Sequence, residues 1–253
     1  MKYFSFGAGE KPLVILPGMS LKPVTLAADA VAAMYADFTA DYTVYLFDVP
    51  DELPEDCSVG YMADRTAEKM RELGIENACV LGCSQGGMLA LHIAVHHPDL
   101  TGRLVLASTY SCRTKASPDV LPRWLELALS GDKVALNRSF AQSVYSPAFY
   151  AANKPAFDAM ENDGTEQELH HLALCVKACI DFDIYDELEK IACPVLVIGS
   201  WDDAVLGGEC SVELAEKLRC PLHMYEGYGH AVYDEAPDFL ARISDFYRNM
   251  KIH

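Results

Sequence analysis

Short apolar runs alternate along this chain with longer stretches in which apolar residues return every three or four positions. The short runs lie at residues 13–16, 43–47, 78–81, 103–107, 194–198 and 222–225. Most are aliphatic and β-branched, and most stop at Gly, Pro, Asp or Ser, which predicts strands buried on both faces of a parallel sheet. Residues 3–6 predict a brief further strand at the sheet edge. The longer stretches predict helices at residues 25–38, 58–74, 88–97, 211–219 and 236–250. Thr25 and Ser58 stand where caps belong, and Gly74 where a helix stops. Alternation of the two periods defines the fold class as α/β, with a mostly parallel central sheet and helices on both faces.

One segment departs from this alternation. Residues 111–183 contain no strand pattern, only helical periods carrying aromatics, as in "PRWLELALSG", "DKVALNRSFAQSVY", "KPAFDAMEND" and "EQELHHLALCVKACIDF". That is too long for a loop between two strands, so it predicts a helical lid inserted before the last two strands. The expected organisation is a core of residues 1–110 and 184–253 with a cap of residues 111–183.

Charge narrows the partners. A formal net charge of -17 repels nucleic acid and anionic membranes, so the expected partner is a small molecule bound to a monomer or homodimer. No apolar run is long enough to cross a bilayer, and the N-terminus lacks the pattern of a secretory signal. Nine cysteines, odd in number and scattered through apolar segments, read as reduced thiols in a cytoplasmic protein. His171, Cys175 and Cys179 fall one helical turn apart, but a core-facing stripe explains that spacing better than a metal site does. Neither a metal nor a cofactor is expected.

Candidate chemistry begins at "VLGCSQGGMLA", where a strand ends and a helix begins. A turn of the form Gly-x-Ser-x-Gly at such a junction lifts its central residue, Ser84, above the sheet. Gly82 and Gly86 are required because a Cβ at either would strike the neighbouring strand or helix. Cys83 is excluded as the presented residue, since Leu81 and Gln85 would then flank it. A serine hydroxyl needs a base. His230, in "YEGYGHAVYDEAPDFL", follows a strand and precedes the last helix. The base needs an orienting carboxylate, and "PVLVIGSWDDAVLG" offers Asp202 and Asp203. Asp202 is preferred, because Asp203 would point to the opposite side if strand alternation continued. Oxyanion donors would be the backbone N–H of Gln85 and, from "LPGMS", that of Met19.

Taken in order, "LPGMS", "VLGCSQGGMLA", "CPVLVIGSWDDAV" and "GYGHAVYDEAPDFL" resemble the α/β-hydrolase superfamily with an inserted helical cap. The resemblance spans nearly the whole chain. It implies a Ser84–His230–Asp202 triad beneath a lid whose Trp124, Phe140, Tyr145 and Phe149 line an apolar acyl or ring pocket. Two departures stand out: Pro17-Gly18 replaces the His-Gly common in the oxyanion loop, and the acidic "DVPDELPEDCS" replaces a glycine-rich turn. The implied reaction is hydrolysis of a small or medium uncharged ester or thioester through an acyl-enzyme. Carbon–carbon bond hydrolysis and ligand sensing use the same constellation. A dehalogenase would need a carboxylate in place of Ser84, and dinucleotide- and phosphate-binding glycine motifs are missing.

Overall fold

A computed structural model describes residues 1–114 and 117–249. His253 and Met250, the latter at the end of the last predicted helix, lie outside them, as do residues 115 and 116 of the expected cap. Seven strands form one sheet: β1 (Tyr3–Phe6), β2 (Lys11–Leu16), β3 (Tyr42–Phe47), β4 (Ala78–Cys83), β5 (Thr101–Ala107), β6 (Val195–Ser200) and β7 (Leu222–Tyr225). Their spatial order is β1-β3-β2-β4-β5-β6-β7. β1 runs antiparallel to β3, and the remaining pairings are parallel. Chain order reverses between β2 and β4, and crevices for ligands in open parallel sheets form at such a point, beyond the carboxyl ends of the strands.

Alternation within the strands divides the core in two. Val14 and Leu16 of β2 face one apolar cluster, while Leu13 and Ile15 face the other. The first cluster is covered by α2 (Val59–Glu72), α3 (Gln85–His96) and α8 (Gly208–Leu218), and the second by α1 (Ala28–Met34) and, further along the chain, α10 (Phe239–Asn249). Between α8 and α10 comes one short turn of helix, α9 (Val232–Glu235). Burial of aliphatic side chains on both faces, at about 1.5–3 kcal/mol each, is what holds a sheet of this kind.

Helix ends follow local chemistry closely. The Ser58 hydroxyl accepts from the Tyr61 N–H, and Gly74 leaves α2 with φ of +68°. Thr25 does not cap. Its hydroxyl instead donates to Asp48 at 2.5 Å, and the segment around it forms a 3-10 turn ahead of α1.

The described residues between 111 and 183 form helices as expected: α4 (Val120–Ser130), α5 (Lys133–Val144), α6 (Pro147–Met160) and α7 (Glu166–Ile180). Helix α6 begins earlier than its apolar pattern suggested, because Ser146 caps it by accepting from the Phe149 N–H and Pro147 suits the first turn. A bridge between Cys112 and Asp183 closes the base of the insertion. Nearby, the Tyr110 hydroxyl donates to the Cys179 carbonyl at 2.6 Å. At its other end the insertion rests on the segment before α9, where the Ala231 N–H donates to the Val144 carbonyl at 3.0 Å.

Candidate active site

Strand β4 ends at Cys83 and α3 starts at Gln85, so Ser84 alone makes the turn. Its φ is +52° and ψ -119°, a conformation that costs a non-glycine residue about 1–3 kcal/mol and persists only where surroundings enforce it. Enforcement comes from both sides. The Ser84 N–H donates to the Ala107 carbonyl at 2.9 Å, and its own carbonyl accepts from the Thr109 hydroxyl at 2.8 Å. The helix that follows packs against β2 so closely that a Cβ at Gly86 would lie 1.9 Å from the Leu16 carbonyl oxygen. A Cβ at Gly82 would lie 2.7 Å from the Gly86 carbonyl oxygen. Both glycines are therefore fixed by contact, as the sequence reading required.

His230 brings Nε2 to 2.8 Å from the Ser84 hydroxyl oxygen. Its Nδ1 lies 2.8 Å from Oδ2 of Asp203, and both side chains of that pair are only 3% exposed. Asp202 is not the partner, contrary to the sequence-based preference. It is exposed, and its Oδ2 accepts from the Gly227 N–H at 2.6 Å. The physical reason is that β6 ends at Ser200 and the chain turns at once, so strand alternation never reaches these residues. Asp203 is then locked by its second oxygen, which accepts from the N–H groups of Val205 and Leu206 at 2.8 and 2.9 Å. Burial would raise the Asp203 carboxyl, but the adjacent His230 imidazole and these two N–H donors outweigh it and hold the group below the usual carboxylate range.

A cavity of about 300 Å³ opens over the Ser84–His230 contact. Its walls include Met19 from the loop after β2, Trp124 from α4, Phe140 from α5 and Tyr145 just past its end. Trp124 stacks on Phe140 at 4.5 Å between ring centres. Phe149, expected in the same wall, sits behind Tyr145 instead, stacked at 4.8 Å. The reason is its place on the first turn of α6, past the cap at Ser146. Cys83 also borders the cavity, but burial first, and the charge of Asp234 second, push its thiol well above the ordinary value. It is a poor rival nucleophile. Two neighbours of His230 were not anticipated: Tyr233 and Asp234 of α9 both line the cavity. Their signal in the sequence was only proximity to His230 in "GHAVYDE".

His171 and Cys175 lie on α7 near a second cavity of about 250 Å³ on the other side of Pro17 and Gly18. The His171 ring bonds the Pro50 carbonyl at 2.9 Å. Among the described residues, no group of three or more His, Cys, Asp or Glu is placed to hold a metal ion. Among the same residues, no helix is long and apolar enough to cross a membrane.

A parallel sheet with a serine elbow at its order reversal, met by a histidine and a buried aspartate from later strand ends, defines a hydrolase of the α/β type. The model of the alpha/beta hydrolase family matches residues 13–243, and the chain belongs to that family. Among sequence relatives, a protein of Caulobacter sp. (strain K31) bearing the name "Putative carbamate hydrolase RutD" is 31% identical over 203 residues, 75% of this chain and 72% of its own. A protein of the same name from Pseudomonas savastanoi pv. phaseolicola (strain 1448A / Race 6) is 28% identical over 252 residues, 94% of each chain. Among solved structures, the alpha/beta hydrolase enzyme MGS-M2 from a Medee basin deep-sea metagenome library superposes with a TM-score of 0.87 at 23% identity. It covers 100% of this chain and 95% of its own. The enol-lactonase of Burkholderia xenovorans LB400 gives 0.83 at 20% identity, over 97% and 95% of the two chains. At these identities the structural likeness shows the fold.

Proposed function

We propose that this chain hydrolyses a small or medium ester or thioester through an acyl-enzyme on Ser84, with His230 as general base and acid and Asp203 as the orienting carboxylate. The observation that carries this reading is the unbroken line from the Ser84 hydroxyl through both ring nitrogens of His230 to Asp203. In the first step the Ser84 oxygen attacks the substrate carbonyl and its proton passes to His230 Nε2. The tetrahedral oxyanion is received by the backbone N–H groups of Gln85, at the positive end of α3, and of Met19. Collapse expels the alcohol or thiol, which takes the proton from His230. Water then attacks the acyl group by the same steps and frees the acid.

Residues 111–183 serve in this reading as a lid, with Trp124, Phe140 and Tyr145 holding the apolar part of the substrate. Among the described residues lining the cavity there is no Lys or Arg, so a substrate carboxylate would lose its hydration without gaining a partner. A carbamate is a second acceptable substrate class. The names of the two sequence relatives favour it, and a carbamate carbonyl is attacked by the same steps.

A fluorophosphonate probe and a p-nitrophenyl butyrate assay test the reading together. Labelling confined to Ser84, with sustained turnover lost by at least about a thousandfold in Ser84→Ala, is the expected result. Labelling without sustained turnover would mark a ligand sensor instead, and no labelling would sink the mechanism.

A further inference from the structure

The cavity over Ser84 is apolar on most sides, and its charge is lopsided. Besides His230 its described lining carries one group that can hold charge at neutral pH, the carboxyl of Asp234. The neighbouring carboxylates are fully employed in holding the fold. Asp203 takes His230 and two backbone N–H groups. Glu235 takes the Ser146 N–H at 2.9 Å, the Ser146 hydroxyl at 2.5 Å and the Gly229 N–H at 3.1 Å. Asp234 differs. Its Oδ2 accepts one bond, from the Tyr145 hydroxyl at 3.1 Å, and among the described residues Oδ1 meets no donor and neither oxygen meets a cation.

We infer that Asp234, set beside Tyr145 in the cavity wall, selects substrates that carry a protonated amine on an otherwise apolar body. The inference rests on the proposed function for its choice of cavity and adds the chemical class of the substrate. Its physical basis is a solvent-exposed carboxyl in the wall of a mostly apolar cavity, with one protein donor and, among the described residues, no cation beside it. Partial desolvation by the cavity wall pushes that carboxyl up, the Tyr145 hydroxyl offsets part of the rise, and the charge of Glu235 adds to it. An ammonium N–H brought to Oδ1 supplies the counter-charge that the protein does not, together with a charge-assisted hydrogen bond. Carboxylate-bearing substrates meet repulsion at the same point. Tyr145, stacked on Phe149 and tilted against Phe157, holds the phenol side of the pair in place, so the carboxyl is oriented before a ligand arrives.

Two matched pairs of esters isolate the effect, because each differs only by nitrogen in place of a CH group. One pair is 2-(dimethylamino)ethyl butanoate and 3-methylbutyl butanoate, with the amine on the alcohol side. The other is ethyl 4-(dimethylamino)butanoate and ethyl 5-methylhexanoate, with the amine on the acyl side. Binding is measured by calorimetry on Ser84→Ala, where turnover cannot intrude, and on Ser84→Ala combined with Asp234→Asn. The expected result is that an amine ester of at least one pair binds Ser84→Ala about tenfold more tightly than its isostere. In the Asp234→Asn background that ratio falls to near one while the isostere binds as before. Equal affinities within both pairs, no detectable binding of any of the four, or a preference that survives Asp234→Asn each overturn the inference. Loss of amine ester and isostere alike in Asp234→Asn also overturns it, since that marks a structural role. Turnover of the same esters by the unaltered enzyme is recorded in parallel. An amine preference in binding without turnover would refute the proposed hydrolysis and leave the amine site standing.

Discussion

Asp202 and Asp203 are adjacent in the chain and opposite in circumstance, one exposed on a turn and one buried against the imidazole of His230. Their exchange of roles shows what a sequence can and cannot disclose at this scale. Ser84 and His230 were legible because turn chemistry and strand ends flank them. The choice of aspartate depended on where β6 stops, and a period of two cannot announce its own end. Asp203→Asn leaves the shape nearly unchanged but presents an amide to His230 Nδ1, favouring the wrong tautomer. Its kcat on p-nitrophenyl butyrate should fall by about 10⁴, whereas Asp202→Asn should stay within about threefold of the parent. Steady-state kinetics of the two variants side by side decide this. A collapse in Asp202→Asn with Asp203→Asn intact would reverse the assignment.

At the level of elements, the strands were read from their apolar runs to within about two residues, since a strand buried on both faces has little freedom in composition. Helix starts were less legible. Helix α3 begins three residues before its apolar period, at Gln85, because the elbow itself forms its first turn. The tight contact between α3 and β2 depends on a missing side chain at Gly86. Gly86→Ala should therefore destabilise the protein by about 3 kcal/mol or prevent folding, because the clash is with backbone that cannot swing aside. Gly131→Ala offers the contrast. It adds a Cβ in open space at φ of +74°, so only backbone strain of about 1 kcal/mol should appear in its denaturation midpoint. The short helix α9 was missed, since the predicted last helix starts only at residue 236. Four residues are too few to carry a period, and with it went the clue that Tyr233 and Asp234 face the cavity.

The whole molecule places its chemistry where the order of strands reverses, with the loop after β2 on one side and Ser84 on the other. That placement follows from topology. The sequence implied it through the order of its segments, while the pairing of β1 with β3 had to come from the structure. Acid should test the assembly as a unit. The Asp203 carboxyl is held below its unfolded value of about 3.9, so its contribution to stability is complete above that pH and is lost as pH falls through the lower, folded value. Urea midpoints taken from pH 6 down to pH 3 should decline, and the decline should be shallower in Asp203→Asn. Parallel curves for the two proteins would count against a coupled buried pair.

The insertion and His230 share an attachment. The Ala231 N–H holds the Val144 carbonyl, and one residue earlier in the chain is His230. A few residues on, Glu235 grips Ser146, so the junction of α5 with α6 and the imidazole hang from one clamp. In the proposed mechanism, lifting the insertion at this corner would draw His230 away from Ser84, which would tie reactivity to the insertion being seated.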